Sequence, residues 1–89
     1  MPCGLTLRQL QTNRQYIRNL YGNRCVRCGR AQAGVVHEIE PRSMRPKDWF
    51  AVENCVVLCS ECHEHIHQHG SQNFADELRS AQARVLGYN

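Results

Sequence analysis

Leu5 to Tyr21 reads LTLRQLQTNRQYIRNLY, in which Leu7, Leu10, Ile17 and Leu20 fall near one face of a 3.6-residue period. That pattern predicts a helix. Thr6 is placed to cap its start, and Gly22 with Asn23 to end it. Arg14 and Arg18, four apart, stack on another face. The next segment, RCVRCGR from Arg24 to Arg30, reads as a tight Cys-x-x-Cys-Gly turn. Val35, Val36 and Ile39 predict a short strand that stops at Pro41. Residues 41–53 look like a loop, with Pro41, Ser43, Pro46 and Asp48. Cys55 to Leu58 is apolar and β-branched enough for a second strand, and Cys59 to His69 fits a helix closed by Gly70. A last helix is expected from about Asn73 to Leu86, with Phe74, Leu78, Val85 and Leu86 as its inward stripe and Gly87 at its end. No internal repeat or low-complexity segment interrupts this series.

A chain of 89 residues is expected to be one domain, and a domain this small usually needs a staple beyond its core. The six cysteines supply a candidate: Cys25, Cys28, Cys59 and Cys62 form two Cys-x-x-Cys pairs, with Cys3 and Cys55 left over. Met1 to Thr12 lacks the apolar core of a secretory leader, and no stretch approaches a membrane span. A reducing cytoplasm is therefore expected. There, paired cysteines read as metal ligands rather than disulfides.

Charge changes the picture further. Residues 1–35 hold six arginines (Arg8, Arg14, Arg18, Arg24, Arg27 and Arg30) and no acid, whereas 36–77 hold all eight acids against Arg42, Arg45 and Lys47. A basic arm beside an acidic, metal-rich centre suits an enzyme acting on a polyanion. A solvated helix face is the plain alternative. Ten of the eleven basic residues are Arg, whose planar fork matches phosphate.

The two Cys-x-x-Cys pairs flank thirty residues. Zinc takes four thiolates in a tetrahedron, and each pair is a pincer, so a structural zinc knuckle with an insert is expected. A redox dithiol would want one such pair near a βαβ pattern. Cys55, on the second strand, reads as core, and Cys3 as a free thiol in the tail. Inside and just beyond the insert lie His37, Asn54, His63 and His67. His63 and His67, four apart, share a helix face and can grip one metal ion; His65 and His69 also sit four apart, but on a different face.

The segment from Cys25 to His67 resembles the HNH endonuclease family. The matching stretches are CVRCG, VHEIEPRS, ENCVVLCSECH and His67, with the nine-residue step from Asn54 to His63. The resemblance is to small phage-encoded and bacterial members above all. It implies an α+β fold: a ββα-metal (His-Me finger) core over 24–70 with a four-cysteine zinc knuckle, flanked by a basic N-terminal helix (1–23) and a C-terminal helix (71–89). It further implies that His37 and His63 bind a catalytic Mg²⁺, Mn²⁺ or other divalent ion. His67 matches a further ligand of colicin-like members, and Asn54 the middle Asn that pins the hairpin loop. The implied activity is phosphodiester hydrolysis in DNA, leaving 5′-phosphate and 3′-hydroxyl ends. Arg14, Arg18, Arg24, Arg27, Arg30 and Arg42 are the candidate phosphate contacts. Trp49 and Phe50 either stack on DNA or, more commonly for such aromatics, pack in the core.

One position departs from the family pattern. The residue after His37 is usually the histidine that deprotonates the attacking water; here it is Glu38, and Ile39-x-Pro41 fixes the register. A carboxylate is a weaker base than imidazole unless burial raises it. Glu38 is thus a base, a metal ligand, or the mark of an impaired copy. Two rivals follow: a non-catalytic zinc module for nucleic acid or protein, and a packaging or recombination component that cuts beside a partner such as a phage terminase.

Overall fold

The computed structural model describes residues 5–87. Cys3 lies outside them. Helix α1 (Leu7–Leu20) begins at a reciprocal cap: Gln9 N–H donates to Thr6 Oγ1 (3.1 Å) and Thr6 N–H to Gln9 Oε1 (2.9 Å). It ends at Gly22 and Asn23, both with positive φ. Leu10, Ile17 and Tyr21 are its buried line; Leu7 is 66% exposed and Leu20 39%. At 100° per residue, Leu20 points about 80° away from that line. Arg14 and Arg18 lie on its opposite flank and are half-buried.

Strands β1 (Val35–Glu38) and β2 (Cys55–Leu58) form a two-stranded antiparallel sheet, pairing Val35 with Leu58, Val36 with Val57, His37 with Val56 and Glu38 with Cys55. Every residue of β2 is buried. Successive side chains point to opposite faces, so both faces of β2 are covered. A 3₁₀ turn (Val52–Asn54) leads into β2. Helix α2 (Ser60–Gln68) follows after the single residue Cys59, which caps it. A second 3₁₀ turn (Ser71–Phe74) leads to α3 (Ala75–Leu86), so the last regular helix starts two residues later than the sequence predicts. The chain is therefore a mixed helix-and-sheet fold, with α2 directly following the β1–β2 pair.

The core joins Ile17 of α1 and Tyr21, which caps its end, with Ile39, Val56 to Leu58, Ile66 of α2, and Leu78 and Ala81 of α3. Polar groups stitch these layers. Asn13 Nδ2 donates to Phe50 O (2.8 Å), Arg18 Nε to Gly34 O (3.0 Å) and Tyr21 Oη to Cys55 O (3.3 Å). On α3 the expected stripe shifts: Leu78 is fully buried, but Val85 is 51% exposed. The buried Gln82 points inward instead and donates to Glu53 O (3.0 Å) and Cys55 O (3.4 Å). A polar residue serves there because the facing groups are backbone carbonyls. Among the described residues, no helix is long and apolar enough to cross a membrane.

Candidate metal centres and the histidine cleft

The two Cys-x-x-Cys turns meet. The Sγ atoms of Cys25, Cys28, Cys59 and Cys62 all lie within 4.8 Å of one another. Each pincer is shaped by its own backbone: Cys28 N–H donates to Cys25 Sγ and Cys62 N–H to Cys59 Sγ, both at 3.4 Å. Gly29 closes the first turn with φ +79°, a conformation that side chains resist, and donates to Cys25 O (2.8 Å). Val26 N–H reaches Val57 O (2.8 Å), which ties the turn to β2. Burial works to raise the Cys25 thiol, but N–H groups of Cys28, Cys59 and Arg27 outweigh it and bring it down to about 7. Burial and the neighbouring Cys59 and Cys25 thiols push Cys62 up to about 12. Four crowded sulfurs, two of them accepting N–H bonds, form a site able to hold a single metal ion. Cys55 is apart from this cluster. Burial, with the Glu38 charge, pushes its thiol to about 12 and leaves it inert in the core.

Where β1 meets α2, three imidazoles converge. One nitrogen each of His37, His63 and His67 lies within a mutual 4.8 Å, and His63 Nε2 is 2.9 Å from His67 Nε2. His37 comes from β1, where the strand turns it inward; the helical i,i+4 step brings His63 and His67 together on α2. His37 is buried, and its Nε2 is the only buried side-chain N or O among the described residues without a hydrogen-bond partner. Burial, and then the charges of His63 and His67, lower His37 to about 4; burial and then His67 lower His63. Both shifts favour the neutral ring, which has a lone pair to offer a metal ion. The trio opens into a cleft of about 330 Å³, also lined by Val36, Glu38 and Arg42.

No family model, curated protein or solved structure matches the chain.

Asn54, fully buried, makes three side-chain bonds: its Oδ1 accepts from Glu40 N–H (2.9 Å) and its Nδ2 donates to Glu40 O (3.0 Å) and Trp49 O (2.9 Å). Both ends of the 40–49 loop are thereby fastened to the residue before β2. Glu38 lines both the histidine cleft and a small crevice beside α1, and its Oε1 accepts from Arg42 Nε (3.3 Å). Trp49 is buried, with Arg42's guanidinium 3.8 Å over its ring and the half-buried Phe50 packed edge-on.

The six candidate phosphate-binding arginines separate. Arg27 pairs with Glu77 (2.7 Å) and lies over Phe74; Arg30 pairs with Glu61 (2.7 Å); Arg42 pairs with Glu38. Arg24 donates to Gly29 O and Arg18 to Gly34 O. Arg14 has neither ion pair nor hydrogen bond among the described residues, and it lines a small crevice with Glu38, Trp49 and Phe50. Composition could not separate these six, because their acidic partners lie up to 50 residues away in sequence. Sequence reasoning also missed Gln72, which lines the cleft and donates to Ile39 O (3.1 Å), and the Arg79–Glu40 ion pair (2.6 Å) behind the loop. His65 and His69 pair on the outer face of α2, without a third ligand.

Proposed function

We propose that this chain is a metal-dependent endonuclease of the HNH type that hydrolyses phosphodiester bonds in DNA. Zinc belongs in the four-thiol site and a second divalent ion among His37, His63 and His67. The observation behind this reading is the convergence of those three rings around the unpartnered His37 Nε2. A buried nitrogen left without a partner costs free energy, and a metal ion is the partner the donor set fits. Three imidazole nitrogens suit a borderline ion such as Mn²⁺ or Zn²⁺ better than Mg²⁺, which prefers oxygen. When bound, such an ion offsets charge on the scissile phosphate and the departing 3′ oxygen.

The chain's own groups supply the rest. Glu38, which lines the same cleft, accepts the proton of the attacking water on its carboxylate. Asn54 keeps the 40–49 loop in place by its three bonds. Arg14, whose charge is uncommitted, meets the phosphate backbone beside Glu38. The rival, a non-catalytic zinc module, draws on Glu38 standing in ion-paired form where the family has histidine. It predicts DNA binding without cleavage.

The deciding experiment is nicking of a supercoiled plasmid by the zinc-loaded protein, supplied in turn with Mn²⁺, Mg²⁺, Ni²⁺ and extra Zn²⁺, beside His63→Ala. The parent should nick with at least one ion. His63→Ala should lose cleavage while keeping one zinc per chain and the parent's circular dichroism. A parent inactive with every ion, or a fully active His63→Ala, refutes the reading.

A further inference from the structure

We infer that Arg42 and Trp49 form a platform that aims the Glu38 carboxylate at the histidine cleft, making Arg42 a positioning residue rather than a phosphate contact. This rests on the hydrolase reading above. Beyond Pro41 the chain folds back on itself, with Met44 and Arg45 N–H both donating to Pro41 O. The turn returns Arg42 to Glu38, four residues earlier, at 3.3 Å. An exposed ion pair alone holds a long side chain poorly. Here the guanidinium is restrained twice, by the carboxylate at Nε and by the Trp49 ring 3.8 Å below its flat face. Lysine has no such face.

Trp49 is a fixed support. It is buried, and its carbonyl is held by Asn54 Nδ2 (2.9 Å). A continuous set of contacts thus runs from the fully buried Asn54 through Trp49 and Arg42 to Glu38, which borders the cleft of His37, His63 and His67. The same pairing argues against phosphate binding by Arg42, because an incoming phosphate would compete with a carboxylate already in place. Arg14, beyond Glu38 in the adjoining crevice and without an acidic partner, has no such competitor.

The test compares Arg42→Gln, Arg42→Lys, Trp49→Phe and Trp49→Leu in the full zinc-loaded chain. Single-turnover cleavage of a duplex oligonucleotide is measured at saturating DNA. Kd and its salt dependence are measured with the same substitutions in a His63→Ala background. Arg42→Gln should slow cleavage on the order of a hundredfold, the usual cost of a misaimed group, with Kd and salt slope unchanged. Arg42→Lys should recover only part of the rate. Trp49→Phe, which keeps an aromatic face, should stay near the parent, and Trp49→Leu should fall with Arg42→Gln. Should Trp49→Leu fail to fold, the two Arg42 variants decide alone. An undiminished rate in Arg42→Gln overturns the inference. So does a weaker Kd with a flatter salt slope at unchanged rate, which makes Arg42 a phosphate contact. A parent that cuts nothing overturns the hydrolase reading itself and is told apart by that control.

Discussion

Asn54→Ala removes three hydrogen bonds at once and leaves their partners behind. Glu40 N–H and C=O lie in half-buried surroundings and can take up water in part; the Trp49 carbonyl is buried and cannot. At a net of about 1 kcal/mol per bond, the loss is about 3 kcal/mol. For a domain of this size that lowers Tm by roughly 12–24 °C, at about 4–8 °C per kcal/mol. The assay is thermal and urea unfolding followed by circular dichroism, with free zinc buffered so that metal linkage stays constant. Asn54→Asp sharpens the test. It keeps the oxygen that accepts from Glu40 N–H, but sets a second oxygen against the Glu40 and Trp49 carbonyls. Burial and those carbonyls hold its folded pKa above the unfolded value of about 3.9. Its deficit against the parent should therefore be smallest below about pH 4 and should grow as pH rises through the folded pKa. A loss under about 1 kcal/mol for Asn54→Ala would refute the clamp, as would an Asn54→Asp protein at parental stability at pH 7.

Three further outcomes are expected. Cys59→Ser breaks one pincer and the cap of α2, so the protein should lose about one zinc per chain and its cooperative unfolding; a variant that keeps its zinc and melts like the parent removes the four-thiol assignment. Arg14→Ala should weaken DNA binding and reduce the log-log salt slope by about one, while Arg27→Ala, whose charge is committed to Glu77, should leave the slope alone; equal effects would refute the sorting of the arginines by their partners. Glu38→Gln keeps the shape but takes no proton, so cleavage should drop by about a hundred- to ten-thousandfold with DNA binding little changed. Equal rates would move the base elsewhere.

Features set by neighbours in sequence were legible in the sequence itself. The Thr6–Gln9 cap, the β-branched β2, the Cys-x-x-Cys pincers and the i,i+4 step from His63 to His67 all depend on separations of a few residues, where one helical or turn geometry dominates. The meeting of His37 with that pair was expected only through the family resemblance; the strand pairing of His37 with Val56 is what carries it there. Less legible was anything decided by which surface comes to lie opposite. Leu7 and Leu20 satisfied a helical stripe yet face outward, while the polar Gln82 turned inward to reach carbonyls it is far from in sequence. Trp49 under Arg42 belongs to the same class, since the loop between them has no periodicity to read.

Helix α2 belongs to both ligand clusters. Cys59 caps it and Cys62 ends its first turn in the thiol cluster, while His63, the very next residue, and His67 belong to the imidazole cluster. One residue is about 100° of helix rotation, so the thiol cluster sets the angular phase at which the two histidines face His37. On the proposed reading, with an ion at each place, occupancy at the two would be cooperative. An ion that clamps the thiols removes rotational freedom the histidines would otherwise lose, and by reciprocity an ion among the histidines tightens the thiol site by the same factor. A strong chelator, on this account, reports on neither cluster separately: withdrawing either ion loosens the other. Metal dependence is better followed by adding ions to a zinc-buffered protein than by stripping them away.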